Sequence, residues 1–203
     1  MTQRSGRRTQ RERRAESEHK LVTATAALIV ERGFGQLSLA AIGQRAGYSH
    51  ALVTHLFGTK AALIDRLNDV VDELYRSHIE PAVAKAEGVD SVKTFIETYL
   101  RLVTSTDPIA RVHVVLWAQA IAGAPDLRAS RIEWDRHFRA GVAQIVARAA
   151  GRARVDIDCQ NTAFVIVGLL RGVAMQQLLD PGAVSVSVAT DRAVQAVRGL
   201  LSP

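Results

Sequence analysis

Apolar residues recur at helical spacing along almost the whole chain, and no long stretch alternates apolar and polar residues as a half-buried strand does. Serine, threonine or aspartate precedes most of the apolar runs and glycine or proline follows them, as expected for helix starts and stops. The first helix is predicted from about Glu16 to Arg32, ending at Gly33. About nine helices are expected in all, which makes the fold all-α.

Residues 38–60 are predicted to form two very short helices joined by a tight turn, followed by the start of a longer helix. Ser38 can cap the first helix, because its side-chain oxygen can accept a hydrogen bond from a free backbone N–H. Gly47 ends that helix, since glycine adopts a positive φ without a Cβ penalty. Ser49 can cap the second helix. The arrangement is a helix-turn-helix, and a DNA major groove is wide enough to admit its second helix.

The remaining helices follow from similar signals. Thr59 can cap a long fourth helix that is expected to stop near Ile79, before Pro81. Five more helices are predicted over about residues 90–103, 109–121, 125–150, 158–179 and 187–201, with a polar turn at 151–156. The small core of the first three helices is expected to contain Leu28, Phe34, Leu39, Ile42, Val53 and Phe57.

The net charge of +6 lies entirely in the N-terminal third of the chain. Residues 1–66 hold eleven Lys and Arg against five acidic residues, whereas the rest of the chain holds fifteen of each. Such an excess beside a helix-turn-helix is expected where a protein meets DNA phosphates. Residues 1–15 are predicted to be a flexible basic arm that adds phosphate or minor-groove contacts; a merely solubilising segment is the alternative.

The composition, with 48% hydrophobic and 23% charged residues, fits a packed globular protein. A single cysteine, Cys159, excludes a disulfide framework and a multi-cysteine zinc site, which fits a reducing cytosol. No apolar stretch follows the basic N-terminus, so no secretory signal is expected. The longest uncharged apolar run, 163–170, is too short to cross a bilayer. A cytoplasmic protein without a membrane partner is therefore predicted.

Three sequence blocks at fixed spacing carry a family resemblance. They are GFGQLS at 33–38, AAIGQRAGYS at 40–49 and HLFGTKAAL at 55–63. With the helix before them, over about residues 16–66, they resemble the N-terminal DNA-binding domain of the TetR family of bacterial transcriptional regulators. The chain departs from the family's usual pattern at three positions. Ala51 stands where glycine is common, Thr54 where tyrosine is common, and Leu56 where tyrosine or histidine is common.

The resemblance implies that the helix after Gly47 reads an operator in double-stranded DNA. Bases would be read by His50, Ala51 and Leu52, with Tyr48 beside them and Ser49 at the cap. Phosphates would be positioned by Ser38, Thr54, His55, Lys60 and the N-terminal arginines. Lys60 lies in the first turn of a helix, where a cation is unfavourable with respect to the helix dipole. A local role therefore explains it poorly, and a phosphate at this position would contact both the ammonium and the free N–H groups.

The predicted helix at 158–179 has no wide polar face, so nearly all of its sides must be covered. A partner copy explains this coverage more completely than the domain's own helices. TetR-like proteins are homodimers built through their last two helices, and GLLRGVAMQQLLDP resembles that segment. The dimer contact is expected at Gly168, Leu169, Gly172, Val173, Met175 and Gln176. Two recognition helices about 34 to 36 Å apart would then read a palindrome.

The resemblance also implies that the C-terminal domain binds a small-molecule effector. Aromatic and histidine side chains on two successive helices are the candidate lining: His113, Trp117, Trp134, His137 and Phe138. Ordinary core packing is the alternative for each of them. A metal site built from His113, His137 and an acidic residue is a further alternative.

No residue pattern supports catalysis or a cofactor. The chain has no phosphate-binding glycine loop, and GQRAG is too short for a dinucleotide fingerprint. Acidic residues are numerous, but none is placed as an acid–base pair. Cys159 is expected to be a small buried hydrophobe.

The predicted organisation is the basic arm at 1–15, a helix-turn-helix DNA-binding domain at 16–66 and a helical effector-binding and dimerisation domain at 67–203. The predicted function is a sequence-specific transcriptional regulator without enzymatic activity, acting as a repressor that a small-molecule effector releases from a palindromic operator. Two alternatives remain at this point: a non-specific architectural DNA-binding protein, and a helical small-molecule sensor without DNA activity.

Overall fold

The computed structural model describes residues 9–153 and 157–201, and within these it leaves out the side chains of residues 125, 126, 152 and 153. The described residues form nine α-helices and one 3₁₀ turn and contain no strand, which confirms the all-α fold. The 3₁₀ turn covers Phe34–Gln36. The helices are α1 (Gln10–Arg32), α2 (Leu39–Ala46), α3 (His50–Phe57), α4 (Lys60–Val83), α5 (Val89–Val103), α6 (Pro108–Ile121), α7 (Pro125–Ala153), α8 (Cys159–Leu179) and α9 (Val186–Leu200).

Helix α1 begins six residues before the predicted start, because Thr9 and Glu12 form a reciprocal capping box. The Thr9 hydroxyl oxygen accepts from the backbone N–H of Glu12 at 3.2 Å, and the Glu12 carboxylate accepts from the N–H of Thr9 at 2.8 Å. The segment predicted to be a flexible arm is therefore helical from Gln10 onward. The first eight residues of that arm lie outside the described residues.

Two other helix ends also differ from the prediction. Pro81 lies inside α4, which continues to Val83 instead of stopping near Ile79. The last turn holds because both Ile79 and Val83 are buried. Helix α7 runs on to Ala153, so part of the predicted polar turn is helical, and residues 154–156 of that turn lie outside the described residues.

The first three helices share a small core around Phe34, as the apolar pattern predicts. Leu28, Phe34, Ile42 and Val53 are buried in it. Leu39 and Phe57, which were expected inside the same core, are only partly buried and pack against its edge.

Helices α1 and α4 connect the N-terminal helices to the rest of the protein. Helix α1 packs against α2, α4 and α6, and α4 packs against α3, α5, α6 and α7. Both helices therefore contact elements on either side of the predicted domain boundary at 66/67.

Helix α8 packs against α5, α6, α7 and α9. It is long and apolar enough to cross a membrane by length and composition alone. It packs on four neighbouring helices and its Arg171 is buried, as expected for a core helix. Four of its large apolar side chains are nevertheless exposed: Phe164, Val165, Met175 and Leu179. Cys159, predicted to be buried, is only half-buried at the start of this helix.

Candidate nucleic-acid interface and ligand cavities

The predicted helix-turn-helix is formed by its local capping contacts. The hydroxyl oxygen of Ser38 accepts from the N–H of Ala41 at 3.2 Å, and that of Ser49 accepts from the N–H of Leu52 at 3.2 Å. Gly47 adopts the left-handed conformation, with φ 77° and ψ 28°. These contacts set the ends of α2 and α3 and hold the turn between them.

Gly43 is a second glycine requirement that the sequence pattern did not reveal. Its carbonyl accepts the N–H of Tyr48 at 2.8 Å. A Cβ at this position would lie 2.9 Å from the carbonyl oxygen of Tyr48 and 3.2 Å from a methyl of Val53. Glycine is therefore needed for α2 and α3 to approach closely.

The candidate DNA-contacting residues lie on the outer side of this motif, although not all are equally free. The exposed positions are Ser38, Ser49, His50, Ala51, Thr54 and His55, whereas Tyr48, Leu52 and Lys60 are partly buried. The Thr54 hydroxyl donates to the carbonyl of His50 at 3.1 Å, so it must rotate away before it can donate to a phosphate.

A basic groove runs between the start of α1 and α3. It is lined by Arg13 and Arg14 of α1 together with Leu52, His55 and Leu56 of α3. Two arginines of the predicted arm, Arg13 and Arg14, therefore lie on α1 beside α3. Leu56, one of the departures from the family pattern, contributes to the wall of this groove.

Lys60 has partners inside the protein. Its ammonium donates to the carbonyl oxygen of Phe34 at 3.2 Å and lies 3.8 Å from the centre of the Phe34 ring. These contacts offset the unfavourable position of a cation at the N-terminus of α4. The expectation that Lys60 has no satisfactory local role is therefore wrong.

Two other basic residues of this region are held in ion pairs between helices. Arg45 of α2 makes a two-pronged contact with Glu31 of α1 at 3.0 and 2.5 Å, and Arg66 of α4 contacts Glu18 of α1 at 2.5 Å. All four side chains are partly exposed, so the pairs contribute little stability. They nevertheless orient α2 and α4 on α1.

A contact between the two parts of the protein joins the same turn to α6. The backbone N–H of Phe34 donates to the side-chain oxygen of Gln119 at 2.7 Å. Gly33, with φ 80°, allows this approach, since a Cβ there would lie 2.6 Å from the Gln119 nitrogen. Phe34 is thus bonded to α6 through its N–H and to Lys60 of α4 through its carbonyl. No sequence signal indicated this pairing, because the partners are 85 residues apart.

His113, predicted to line a ligand pocket, is instead a core residue with only 2% of its surface exposed. Its Nδ1 lies 2.9 Å from the carbonyl oxygen of Ala110, and its Nε2 lies 3.0 Å from the hydroxyl of Tyr99. Nδ1 must therefore carry the proton, and Nε2 accepts from Tyr99. Burial, reinforced by the charge of Arg171, lowers the pKa of His113 to about 3. The imidazole is neutral at physiological pH.

Trp134 and Phe138 stack on each other, with ring centres 5.3 Å apart and planes 7° from parallel. The indole N–H of Trp134 donates to the carboxylate of Asp72 at 2.6 Å. Burial raises the pKa of Asp72, while the Trp134 bond opposes that rise. Helix α7 is thereby fastened to α4 beside the cavities described next.

The candidate ligand residues divide between two cavities and the core. A cavity of about 500 Å³ between α4, α5 and α7 has Tyr75, His137 and Phe138 in its lining. A smaller cavity of about 250 Å³ between α6 and α7 is lined by Trp117, Ala120, Ile121, Arg128, Arg131, Ile132 and Asp135. The expectation of one pocket holding all five residues is therefore not met.

Buried arginines next to the smaller cavity were missed by sequence reasoning. Arg131 and Arg171 are 3% and 5% exposed, and Asp135 between them is 7% exposed. The Asp135 carboxylate pairs with both Arg139 and Arg171. The one available signal was Arg171 in the middle of an apolar helix, because an arginine there must find a polar partner.

The residues predicted for the dimer contact lie along α8. Gly168, Met175 and Gln176 are exposed, and Leu169, Gly172 and Val173 are partly exposed. A Cβ added at Gly168 or Gly172 would meet none of the described atoms within 4 Å. The two glycines therefore serve no close approach within one chain.

No group of three or more His, Cys, Asp or Glu side chains within the described residues is close enough to hold a metal ion. The alternative of a site at His113 and His137 gains no support from the geometry, since the nitrogens of His113 are used by Ala110 and Tyr99.

Comparison with known proteins covers both halves of the chain. Residues 21–67 match bacterial regulatory proteins of the tetR family, and residues 88–202 match the C-terminal domain of BetI-type transcriptional repressors. The HTH-type transcriptional regulator BetI of Paraburkholderia phytofirmans is 25% identical over 175 residues, which are 85% of this chain and 89% of the relative.

Solved structures share the fold. A TetR-like transcriptional regulator from Rhodococcus sp. RHA1 is 20% identical with a TM-score of 0.72, covering 97% of this chain and 100% of that one. AibR in complex with isovaleryl coenzyme A and operator DNA is 17% identical with a TM-score of 0.70, covering 89% and 97%. The second family match alone spans more than half of the chain. The chain therefore belongs to the TetR family of helix-turn-helix transcriptional regulators, with a C-terminal domain of the BetI repressor type.

Proposed function

We propose that this protein is a homodimeric repressor that binds a palindromic operator and leaves it when a small-molecule effector binds the C-terminal helices. The observation that carries the proposal is a pair of hydrogen bonds made by the Phe34 backbone. Its N–H donates to Gln119 of α6, and its carbonyl oxygen accepts from Lys60 at the start of α4. The match of residues 88–202 to BetI-type repressors supports repression over activation.

On the DNA side, α3 would lie in the major groove with His50, Ala51 and Leu52 towards the bases and Tyr48 beside them. Phosphates would be contacted by Ser38, Thr54, His55, Lys60, Arg13 and Arg14. Ser38 and Ser49 use only their oxygen atoms as caps, so each hydroxyl proton remains available for a phosphate.

Effector binding would act through α6. Gln119 lies on this helix between Trp117 and Ile121, which line the cavity between α6 and α7. A ligand that displaced α6 would therefore disturb the Gln119 bond to Phe34 and, through Phe34, the contact to Lys60. For release to follow, the ligand must prefer the arrangement that does not fit DNA, and DNA must weaken ligand binding by the same factor.

The architecture supports this arrangement of DNA and ligand on opposite parts of one chain. The structural neighbour AibR is described with both isovaleryl coenzyme A and operator DNA bound. The same division is inferred here as a basic region at 1–15, a DNA-binding part at 16–66 and an effector-binding and dimerisation part at 67–203. We assign the protein no catalytic activity and place it in the cytoplasm, as its membership of a transcription-regulator family supports.

The experiment that tests the function is selection of bound sequences from a random duplex pool at near-physiological salt, using the purified full-length protein. Recovery of a palindrome with half-sites one helical turn apart is the expected result. Replacing His50 by alanine should change the preferred base at one position in each half-site rather than weaken all sequences equally.

Two results would contradict the proposal. Recovery of no motif, with binding that vanishes as salt rises, would favour a non-specific architectural protein. Absence of any DNA binding by a folded dimer would favour a small-molecule sensor without DNA activity.

A further inference from the structure

We propose that the effector is a small carboxylic acid in its anionic form, whose carboxylate is bound by Arg131 in the cavity between α6 and α7. The regulatory role of this ligand rests on the proposed function. The binding site itself rests only on the geometry of the cavity and its arginines.

Arg131 lines this cavity and is almost completely buried, with 3% of its surface exposed. Its Nε and Nη2 atoms are shielded from solvent and have no hydrogen-bond partner among the described residues. A buried guanidinium with unsatisfied donors is unfavourable. A ligand must shift a neighbouring side chain to reach these atoms, and a planar group with two acceptor oxygens would then satisfy them best. A carboxylate has that shape and charge.

Asp72, Asp135 and Asp65 each raise the pKa of Arg131, but none of them accepts a hydrogen bond from its Nε or Nη2. Asp135, which lines the same cavity, already pairs with Arg139 and Arg171. The second acid nearby, Asp72, accepts the indole N–H of Trp134. Burial lowers the pKa of Arg131 to about 10, so the guanidinium is still cationic at neutral pH. An anion would be attracted to this guanidinium, whereas a cation would be repelled by it.

The rest of the cavity suits a hydrocarbon body. Trp117, Ala120, Ile121 and Ile132 form its apolar part. Ile121 and Ile132 are 67% and 43% exposed, so an apolar chain running from Arg131 towards the mouth would cover them. The volume of about 250 Å³ restricts the ligand to a short chain. Arg128 lines the same cavity and is exposed, which adds positive charge along the path of entry.

The two tryptophans of the chain provide a direct measurement of binding. The guanidinium of Arg131 lies 5.1 Å from the Trp134 ring, and that of Arg171 lies 5.2 Å from the Trp117 ring. The experiment titrates the purified full-length protein, without DNA, with acetate, butanoate, hexanoate and octanoate. Each acid is compared with the amide and the primary amine of equal length, and the change in tryptophan fluorescence is followed.

The expected result is saturable binding of at least one acid, at least about tenfold tighter than that of its amide and tighter still than that of its amine. Replacing Arg131 by glutamine should remove this preference while binding of the amide is unchanged. Arg148→Gln, at an arginine lining the other cavity, is the matched control and should behave as the parent protein.

A second variant keeps the test decisive if Arg131→Gln fails to fold. Ile132→Asp places a negative charge at an exposed position of the cavity mouth, so the fold should tolerate it while acid binding weakens by at least about tenfold. Equal affinity for acids and amides, binding of no acid, or full acid binding by the folded Arg131→Gln or Ile132→Asp protein would each overturn the proposal.

Failure of this inference and failure of the proposed function give different results. A protein that selects a palindrome but binds no acid would keep its function as a repressor, and the effector would be of another class. A protein that binds acids through Arg131 but selects no palindrome would keep the site and lose the repressor function.

Discussion

The ammonium of Lys60 lies at the positive end of the α4 dipole, and contacts within the protein offset this unfavourable position. Phe34 supplies both a carbonyl acceptor and an aromatic face to this one cation. The ammonium keeps its positive charge in these contacts, so a phosphate would still be attracted to it. The structural role of Lys60 and its proposed phosphate contact can be separated only by variants that remove one of them.

Lys60→Ala should lose both roles. The free energy of unfolding should fall by about 1 kcal/mol, as expected for one hydrogen bond and one exposed cation–π contact. Affinity should fall about equally for all operator variants, and the slope of log affinity against log salt should decrease in magnitude by about one.

Lys60→Gln is the matched control, because its amide can still donate to the Phe34 carbonyl but carries no charge. It should retain most of the stability and show the same loss of salt slope. An unchanged slope in both variants, measured by titration of labelled operator at several salt concentrations, would refute the phosphate contact.

His113 makes stability dependent on pH in a defined direction. Its folded pKa of about 3 lies below the unfolded value of about 6.5, so below pH 6.5 the unfolded chain binds a proton that the folded protein excludes. The stabilising contribution is complete above about pH 6.5 and is lost as the pH falls towards 3. Between pH 7 and pH 5 the loss should be about 2 kcal/mol.

Urea unfolding of the parent and of His113→Gln at a series of pH values measures this contribution. The glutamine variant should be less stable at pH 7, because it loses the ring that packs against Tyr75, Tyr99 and Trp134. Its stability should fall less between pH 7 and pH 5. Equal pH dependence in the two proteins would show that His113 binds a proton as readily in the folded protein as in the unfolded chain.

At the scale of elements, the organising contact is that of α1 and α6, which places Gln119 against the turn at Phe34–Gln36. Both partners of this contact are held by packing. Phe34 is buried in the N-terminal core, and α6 packs on α4 and α7. The hydrogen bond between them is thus a rigid connection between the two parts of the chain rather than an incidental surface contact.

Gln119→Leu should weaken operator binding and reduce release by the effector, since it leaves the Phe34 N–H without its acceptor. The free energy of unfolding should fall by about 1 to 3 kcal/mol. Gln119→Glu keeps an acceptor oxygen at the same distance along the side chain and should retain operator affinity. Full operator affinity and full release in a folded Gln119→Leu protein would exclude this route of coupling.

At the scale of the whole molecule, one face of α8 carries apolar side chains that the described residues of the single chain leave exposed. Phe164, Val165, Met175 and Leu179 are exposed although they are apolar, and Gly168 and Gly172 have open space above them. Exposed apolar side chains beside small residues are the composition of a helix–helix contact between copies. A two-fold arrangement would also supply the pair of recognition helices that a palindrome requires.

Gly168→Glu should convert the dimer into a folded monomer. A Cβ at this position meets no described atom within 4 Å, the position is exposed, and glutamate is a better helix former than glycine, so the monomer itself should not be destabilised. Operator affinity should fall roughly a hundredfold or more, because two half-sites are no longer engaged together.

Gly151→Glu is the matched control for this prediction, since Gly151 is an exposed helical glycine with equally open surroundings at the end of α7. Light scattering after size exclusion measures the mass of each variant. A Gly168→Glu protein that remains dimeric would place the dimer contact elsewhere.

Local chemistry in the sequence was sufficient to predict the helices and the helix-turn-helix. The caps at Ser38, Ser49 and Thr59 bond to backbone groups three residues away, and Gly47 sets its own φ. Interactions of this range can be inferred from neighbouring letters. The early start of α1 was missed because the capping box at Thr9 is followed by arginines and glutamates rather than by apolar residues.

The tertiary structure alone decided how the candidate sites are arranged. Gln119 and Phe34, or Arg171 and Asp135, are brought together from distant parts of the chain, and no local preference encodes such pairs. The same packing buried His113, engaged Lys60 and divided the candidate ligand residues between two cavities. By itself the sequence determined the family, the helices and the helix-turn-helix, because these depend on short-range hydrogen bonds and apolar spacing. Only the packing of helices from separate segments determined which charges are buried without a partner, and hence where a ligand would bind.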